Sequence, residues 1–147
     1  MRILIDTNVI LDYIAKREPY AGHAYKITEL CVNKVIDGCI AAHTITNLFF
    51  ILRKDLSVKE RKAILLKLCS VFTVVGIDVI KIISALENEE FIDLEDCLQD
   101  ECAESYDAEF LVTRNIGDFN NGKIKAITPG EFLSLITPDD LPNGSEQ

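Results

Sequence analysis

A chain of 147 residues, 48% hydrophobic and 27% charged, has the size and composition of one globular domain with a sizeable core. Its 24 acidic and 15 basic side chains leave a net charge of −9, which argues against tight nonspecific binding of nucleic acid. It does not exclude a nucleic-acid enzyme whose clustered acids are neutralised by divalent cations, with phosphate contacts from a local patch such as Arg53, Lys54, Lys59, Arg61 and Lys62; a solvated helix face is the plainer reading of that patch.

The chain opens on an apolar strand over 3–5 that stops at Asp6-Thr7-Asn8, followed by helices over 9–16 and 20–34. A strand over 39–42 leads to a helix over 44–54, with Thr44 and Thr46 as start signals. The next helix covers 58–69 behind a capping box of Ser57 and Glu60. A strand over 72–75, a helix over 78–86 and a helix over 94–106 come next, the last capped by Asp93. Strands over 110–112 and 124–127 flank the turn-forming stretch from Thr113 to Asp118, and a short helix over 129–135 starts at Pro129 with Thr128 as its cap. Strands alternating with helices predict an α/β fold around a parallel sheet, in one domain over 1–137. The stretch 138–147, rich in Pro, Asp, Asn, Gly and Ser, reads as a disordered tail.

The longest apolar runs, such as 48–52 and 71–77, fall far short of the roughly 20 residues of a bilayer span, and Met1 leads straight into a strand, so a soluble, cytoplasmic protein without a membrane partner is expected. Five cysteines without paired spacing suit reduced thiols, with Cys31, Cys39 and Cys69 in apolar stretches, and Cys97 and Cys102 lack the companions of a zinc site.

Three acids stand at element ends: Asp6 after the first strand, Asp96 at the start of the 94–106 helix, and Asp118 in the loop after the 110–112 strand. In an open parallel sheet such positions face the crevice where ligands bind, and hard oxygen donors gathered there suit Mg²⁺ or Mn²⁺. Each has a plain alternative. Asp6 can be a helix cap, Asp118 an ordinary loop Asp, and Asp93 and Glu95 serve the helix start. On the 94–106 helix, Leu94, Leu98 and Cys102 mark an apolar stripe, while Asp96, Gln99, Asp100 and Ala103 share another face. His23 and His43 read as structural hydrogen-bonders. The apolar residues Leu48, Phe49, Phe50 and Leu52 read as core packing or as a partner surface.

The strings ILIDTNVILDYI, IDLEDCLQDECAESYDAEFLVTRNIGDF and KAITPGEFL, in this order and spacing, resemble the PIN-domain family of metal-dependent ribonucleases, and within it the VapC-like toxins of type II toxin–antitoxin pairs. The resemblance implies a three-layer α/β/α sandwich with a central parallel sheet, an acidic site binding Mg²⁺ or Mn²⁺, and endonucleolytic cleavage of RNA. It places Asp6, Asp96 and Asp118 as catalytic and metal-holding acids, with Asn8, Thr113 and Asn115 as the polar residues that orient them or the attacking water. The family often carries one more acid, a Glu in the helix after the second strand, where this chain has Asn47. An amide oxygen can still ligate a hard cation, but it brings no charge. The resemblance further implies a homodimer and a small antitoxin partner. A PIN-like module that has lost catalysis and binds RNA or a protein is the alternative reading.

Overall fold

Five strands, β1 (Arg2–Ile5), β2 (Asp37–Ala41), β3 (Thr73–Val75), β4 (Phe110–Val112) and β5 (Lys125–Ile127), pair in parallel in the order β3-β2-β1-β4-β5. Among the described residues, seven helices cover the two faces: α1 (Thr7–Ala15), α2 (Ala21–Val32), α3 (Ala42–Ile51), α4 (Val58–Val71), α5 (Val79–Glu87), α6 (Leu94–Ser105) and α7 (Pro129–Leu135). This is the three-layer α/β/α sandwich expected from the sequence, in a computed structural model that describes residues 1–141. No helix among the described residues is long and apolar enough to cross a membrane.

The two-residue period of β1 divides the core. Ile3 and Ile5 point to one face and pack with Ile10, Ile27, Leu48, Leu68 and Phe132, which come from α1, α2, α3, α4 and α7. Leu4 points to the other face and meets Cys39, Leu111, Cys102 and Ala103, so α6 lies directly on the sheet. Ala103 puts only a methyl group between them, which lets the helix lie close to the strands. α5 then packs on α6 through Ala85 against Cys97 and Leu98. Because β2 and β3 extend from one side of β1 and β4 and β5 from the other, the strand order reverses between β1 and β4. In such sheets the crevice beyond the carboxyl ends at that reversal is the ligand position.

Several local signals act as read. Ser57 and Glu60 close a reciprocal capping box at 3.1 Å in each direction, and Thr128 accepts from the Glu131 amide at 3.2 Å. Others are corrected. β2 runs straight into α3, which starts at Ala42 without a side-chain cap; Thr44 is buried inside the helix, with its hydroxyl 2.8 Å from that of Thr7. On α6 Leu94 is exposed, whereas Gln99 and Asp100 are buried. Asp100 can turn inward because its carboxylate accepts the backbone amides of Lys123 at 3.0 Å and Ile124 at 3.1 Å, fixing the approach to β5. Cys31, Cys39, Cys97 and Cys102 are buried free thiols, but Cys69 lies on the exposed side of α4. Within the expected tail, Pro138–Asp140 forms a 3-10 turn, and 142–147 lie outside the described residues.

Candidate active site

Parallel pairing sets Ile5 opposite Val112, and the Asp6 amide donates to the Val112 carbonyl at 2.9 Å, so Asp6 and Thr113 leave the sheet side by side. The Asp6 carboxylate then collects four donors. Oδ1 accepts the Thr7 amide at 2.7 Å and Gln99 Nε2 at 3.2 Å; Oδ2 accepts Thr113 Oγ1 at 2.8 Å and Asn8 Nδ2 at 3.1 Å. The two readings of Asp6 are therefore not alternatives, since it caps α1 and also joins β1, α1, α6 and β4. Burial pushes its pKa up, against the hydrogen bonds from Thr113 and Thr7; Asp118 adds to the rise and Arg114 opposes it.

Asp96 enters from α6, whose cap Asp93 accepts the Asp96 amide at 3.0 Å. Its side chain borders two cavities. One, of about 260 Å³, also has Asp6, Asn8, Asn47 and Asn115 in its walls. The other, of about 380 Å³, has Asp93 and Asp118. Burial, then the negative charges of Asp93, Asp6, Asp118 and Glu95, push the Asp96 carboxyl up to about 7. Asp118 is exposed, on the 3-10 turn Ile116–Phe119. Thr113 is buried behind the site, where it accepts the Asn115 amide at 3.0 Å while donating to Asp6. The structure thus brings Asp6, Asp96, Asn8, Asn47 and Asn115 around one cavity, and Asp118 into its neighbour, with Asp96 common to both. Among the described residues, no three His, Cys, Asp or Glu side chains stand close enough together to form a metal-holding group.

Sequence reasoning missed Asp12 and gave no partners to Gln99, Asn47 or His43. Gln99 Nε2 lies 3.2 Å from each of Asp6 Oδ1, Thr7 Oγ1 and Thr44 Oγ1, tying α6 to α1 and α3. Asp12, buried on α1, pairs with Arg17 at 2.8 Å and Arg114 at 2.6 Å, and Arg17 reaches the smaller cavity. The available signal was an acid embedded in the apolar run Val9-Ile10-Leu11. Asn47 donates to Glu95 Oε2 at 3.2 Å. His43 lines the smaller cavity with neither ring nitrogen partnered, and burial lowers its pKa against the pull of Glu95 and Asp93. His23 lies elsewhere, against Gly130, where a Cβ would come within 3.1 Å of the imidazole.

The basic patch divides into structural and free members. Arg61 is buried, stacks on Phe49 at 4.2 Å and donates to the Phe49 carbonyl at 2.7 Å, which locks α4 to α3. Arg53 stacks on the exposed Phe50 at 3.7 Å, while Lys54, Lys59 and Lys62 face solvent. Leu48 and Leu52 belong to the core; Phe50 does not.

The family model described as PIN domain matches residues 2–117. No curated protein matches the sequence. Solved structures share the fold at low identity. VapBC-1 from nontypeable Haemophilus influenzae is 17% identical over 88% of this chain and 99% of that one, with a TM-score of 0.66. DNA-bound VapBC from Salmonella typhimurium is 20% identical over 88% and 98%, with a TM-score of 0.65. A toxin–antitoxin complex from Klebsiella pneumoniae is 22% identical over 86% and 97%, with a TM-score of 0.64.

Proposed function

Since the chain belongs to the PIN-domain family, whose members are generally nucleases, we propose that it is a metal-dependent endoribonuclease and the toxin of a type II toxin–antitoxin pair. The observation that carries this reading is Asp96, an acid raised to about 7 beside Asp6 and Asp118, with no Lys or Arg in ion-pair contact with it among the described residues. Like charges so placed favour an added cation.

The donor set suits Mg²⁺ or Mn²⁺, because Asp6, Asp96, Asp118 and the amides of Asn8 and Asn115 offer hard oxygens and no thiolate. Asp6, Asp96 and Asp118 would hold the ion. Bound there, it would supply Lewis-acid charge at the scissile phosphate and a water acidic enough to attack near neutral pH. The protein's own part is placement. Asn8 and Thr113 fix the Asp6 carboxylate, Gln99 fixes α6 against it, and Arg17 meets a phosphate of the RNA at the edge of the acidic cavity.

An antitoxin fits a different surface, the apolar cavity of about 620 Å³ walled by Tyr13, Tyr25, Val32, Leu68 and Val71 between α1, α2 and α4. The exposed apolar face of α5, with Val79, Ile80, Ile83 and Leu86, suits a homodimer. We place the protein in the cytoplasm, as one nuclease domain over 1–137 with a short tail over 138–147.

A second reading, a catalytically weakened PIN-like module that binds RNA or a protein, draws on Asn47 and on the absence of a close three-ligand group among the described residues. Titration calorimetry with Mn²⁺, run beside an RNA cleavage assay, separates the two. The nuclease reading expects Mn²⁺ binding that Asp96→Ala abolishes and cleavage that Asp6→Asn abolishes. RNA binding without Mn²⁺ binding or cleavage would give the second reading.

A further inference from the structure

Asn47 stands where the resemblance expects a carboxylate, and its amide points a donor at one. Nδ2 lies 3.2 Å from Glu95 Oε2, so the side chain on α3 holds an acid that belongs to α6. Glu95 borders the same cavity as Asp6 and Asp96. A first-turn acid suits the α6 dipole, but that role does not require this one to face Asn47. Asp93 already caps α6, and among the described residues Glu95 has no Lys or Arg ion-pair partner.

A second observation in that cavity also points to a ligand. Gln99 is 2% exposed, and its Oε1 has no hydrogen-bond partner. Reversing the amide would turn Oε1 toward Asp6, whose two carboxylate oxygens serve as acceptors for the Thr7 amide, Asn8 Nδ2 and Thr113 Oγ1, and would break the 3.2 Å bond from Nε2. A buried carbonyl oxygen without a donor is disfavoured unless an ion or an ordered water serves it.

We propose that Glu95 supplies the fourth carboxylate of the metal centre, delivered from α6 and held by Asn47 of α3. This rests on the metal-dependent reading above. The charge then sits on α6 instead of α3, with the Asn47 amide as its support. An amide N–H donor repels a cation, so Asn47 acts through Glu95 and is a positioning residue, while the Glu95 carboxylate keeps lone pairs free beside the bond it accepts.

The test is Mn²⁺ affinity of the full chain, by calorimetry and by the electron paramagnetic resonance signal of free Mn²⁺, with folding followed by circular dichroism. Glu95→Gln should weaken Mn²⁺ binding at least about 10-fold, since even losing an outer-shell partner of a metal ligand costs roughly 10- to 100-fold. Asn47→Glu combined with Glu95→Gln should restore most of the affinity by returning the charge to α3. Glu109→Gln, an equal charge change at the exposed start of the β4 region, should change nothing. Unchanged affinity in Glu95→Gln overturns the proposal, as does a loss that the double variant fails to reverse or that Glu109→Gln reproduces. Wild-type protein that binds no Mn²⁺ would overturn the metal-dependent reading itself, and this proposal with it.

Discussion

Two acids, one on α1 and one on α6, have opposite surroundings. Asp12 on α1 is 1% exposed and meets two guanidinium groups, Arg17 at 2.8 Å and Arg114 at 2.6 Å. Asp96 on α6 is partly buried, pairs with no Lys or Arg among the described residues, and faces Asp93, Asp6, Asp118 and Glu95. The fold neutralises the first charge internally and leaves the second to be neutralised from outside. A buried ion pair is weak evidence of function because structure alone explains it. An acid held among other acids has no such explanation, and functional sites are where that arrangement recurs.

The contrast predicts stability effects of opposite sign. Asp12→Ala strands two arginines around an apolar stretch of α1 and should destabilise the protein by about 3 kcal/mol in urea denaturation, the lower end for breaking a buried pair because the Arg17 side chain is 42% exposed. A loss below about 1 kcal/mol would place Asp12 with surface ion pairs and remove the contrast.

Asp96→Asn should act the other way. The Asp96 pKa rises from 3.8 to about 7 on folding. Between those values the folded chain keeps a proton that the unfolded chain has released, so stability of the wild type falls as pH rises through that window. Asparagine does not ionise and escapes the fall. Without divalent cations, the variant should melt about 2–4 °C above the wild type at pH 8, what roughly 1 kcal/mol gives in a chain of this size after allowing for partial exposure. The difference should vanish below about pH 4, where Asp96 is protonated in both states. Equal melting temperatures at pH 8 would make Asp96 an ordinary helix-start acid.

The sequence carried the skeleton because periodicity is local. A two-residue alternation and a three-to-four-residue stripe identify strands and helices without knowledge of partners. The placement of Asp6, Asp96 and Asp118 at or near element ends was legible for a related reason, since the end of a strand or the start of a helix in a parallel sheet is a position with a known neighbourhood. What failed depended on partners distant in sequence. Arg114 lies 102 residues from Asp12, Gln99 lies 93 from Asp6, and Asn47 lies 48 from Glu95, and only strand register and helix docking bring them together. The stripe on α6 misled because buried Gln99 and Asp100 carry polar ends that mimic an outward face, while exposed Leu94 mimics a core residue. Asp100 had its backbone partners on a loop that no periodicity marks.

Arg17 sharpens the comparison most finely, since it belongs to both halves of it, pairing with Asp12 and lining the cavity with Asp6 and Asp96. Arg114 already grips Asp12 with two nitrogens, Nε at 2.6 Å and a terminal amino group at 3.2 Å, and stacks on Tyr20 at 4.0 Å, so the Asp12 charge stays compensated when Arg17 is replaced. Arg17→Gln should therefore change unfolding free energy by less than about 1 kcal/mol. Its effect should appear on RNA instead, because a cation at the rim of an acidic cavity is where a phosphate can enter without meeting net repulsion. In anisotropy titrations with a short single strand over a range of salt concentrations, the variant's log–log salt slope should fall by about 0.7, one phosphate contact fewer. A destabilisation close to that of Asp12→Ala with an unchanged slope would assign Arg17 to the fold. Among the described residues, the cavity would then have no Lys or Arg left for the substrate, because Arg114 is occupied by Asp12 and Tyr20.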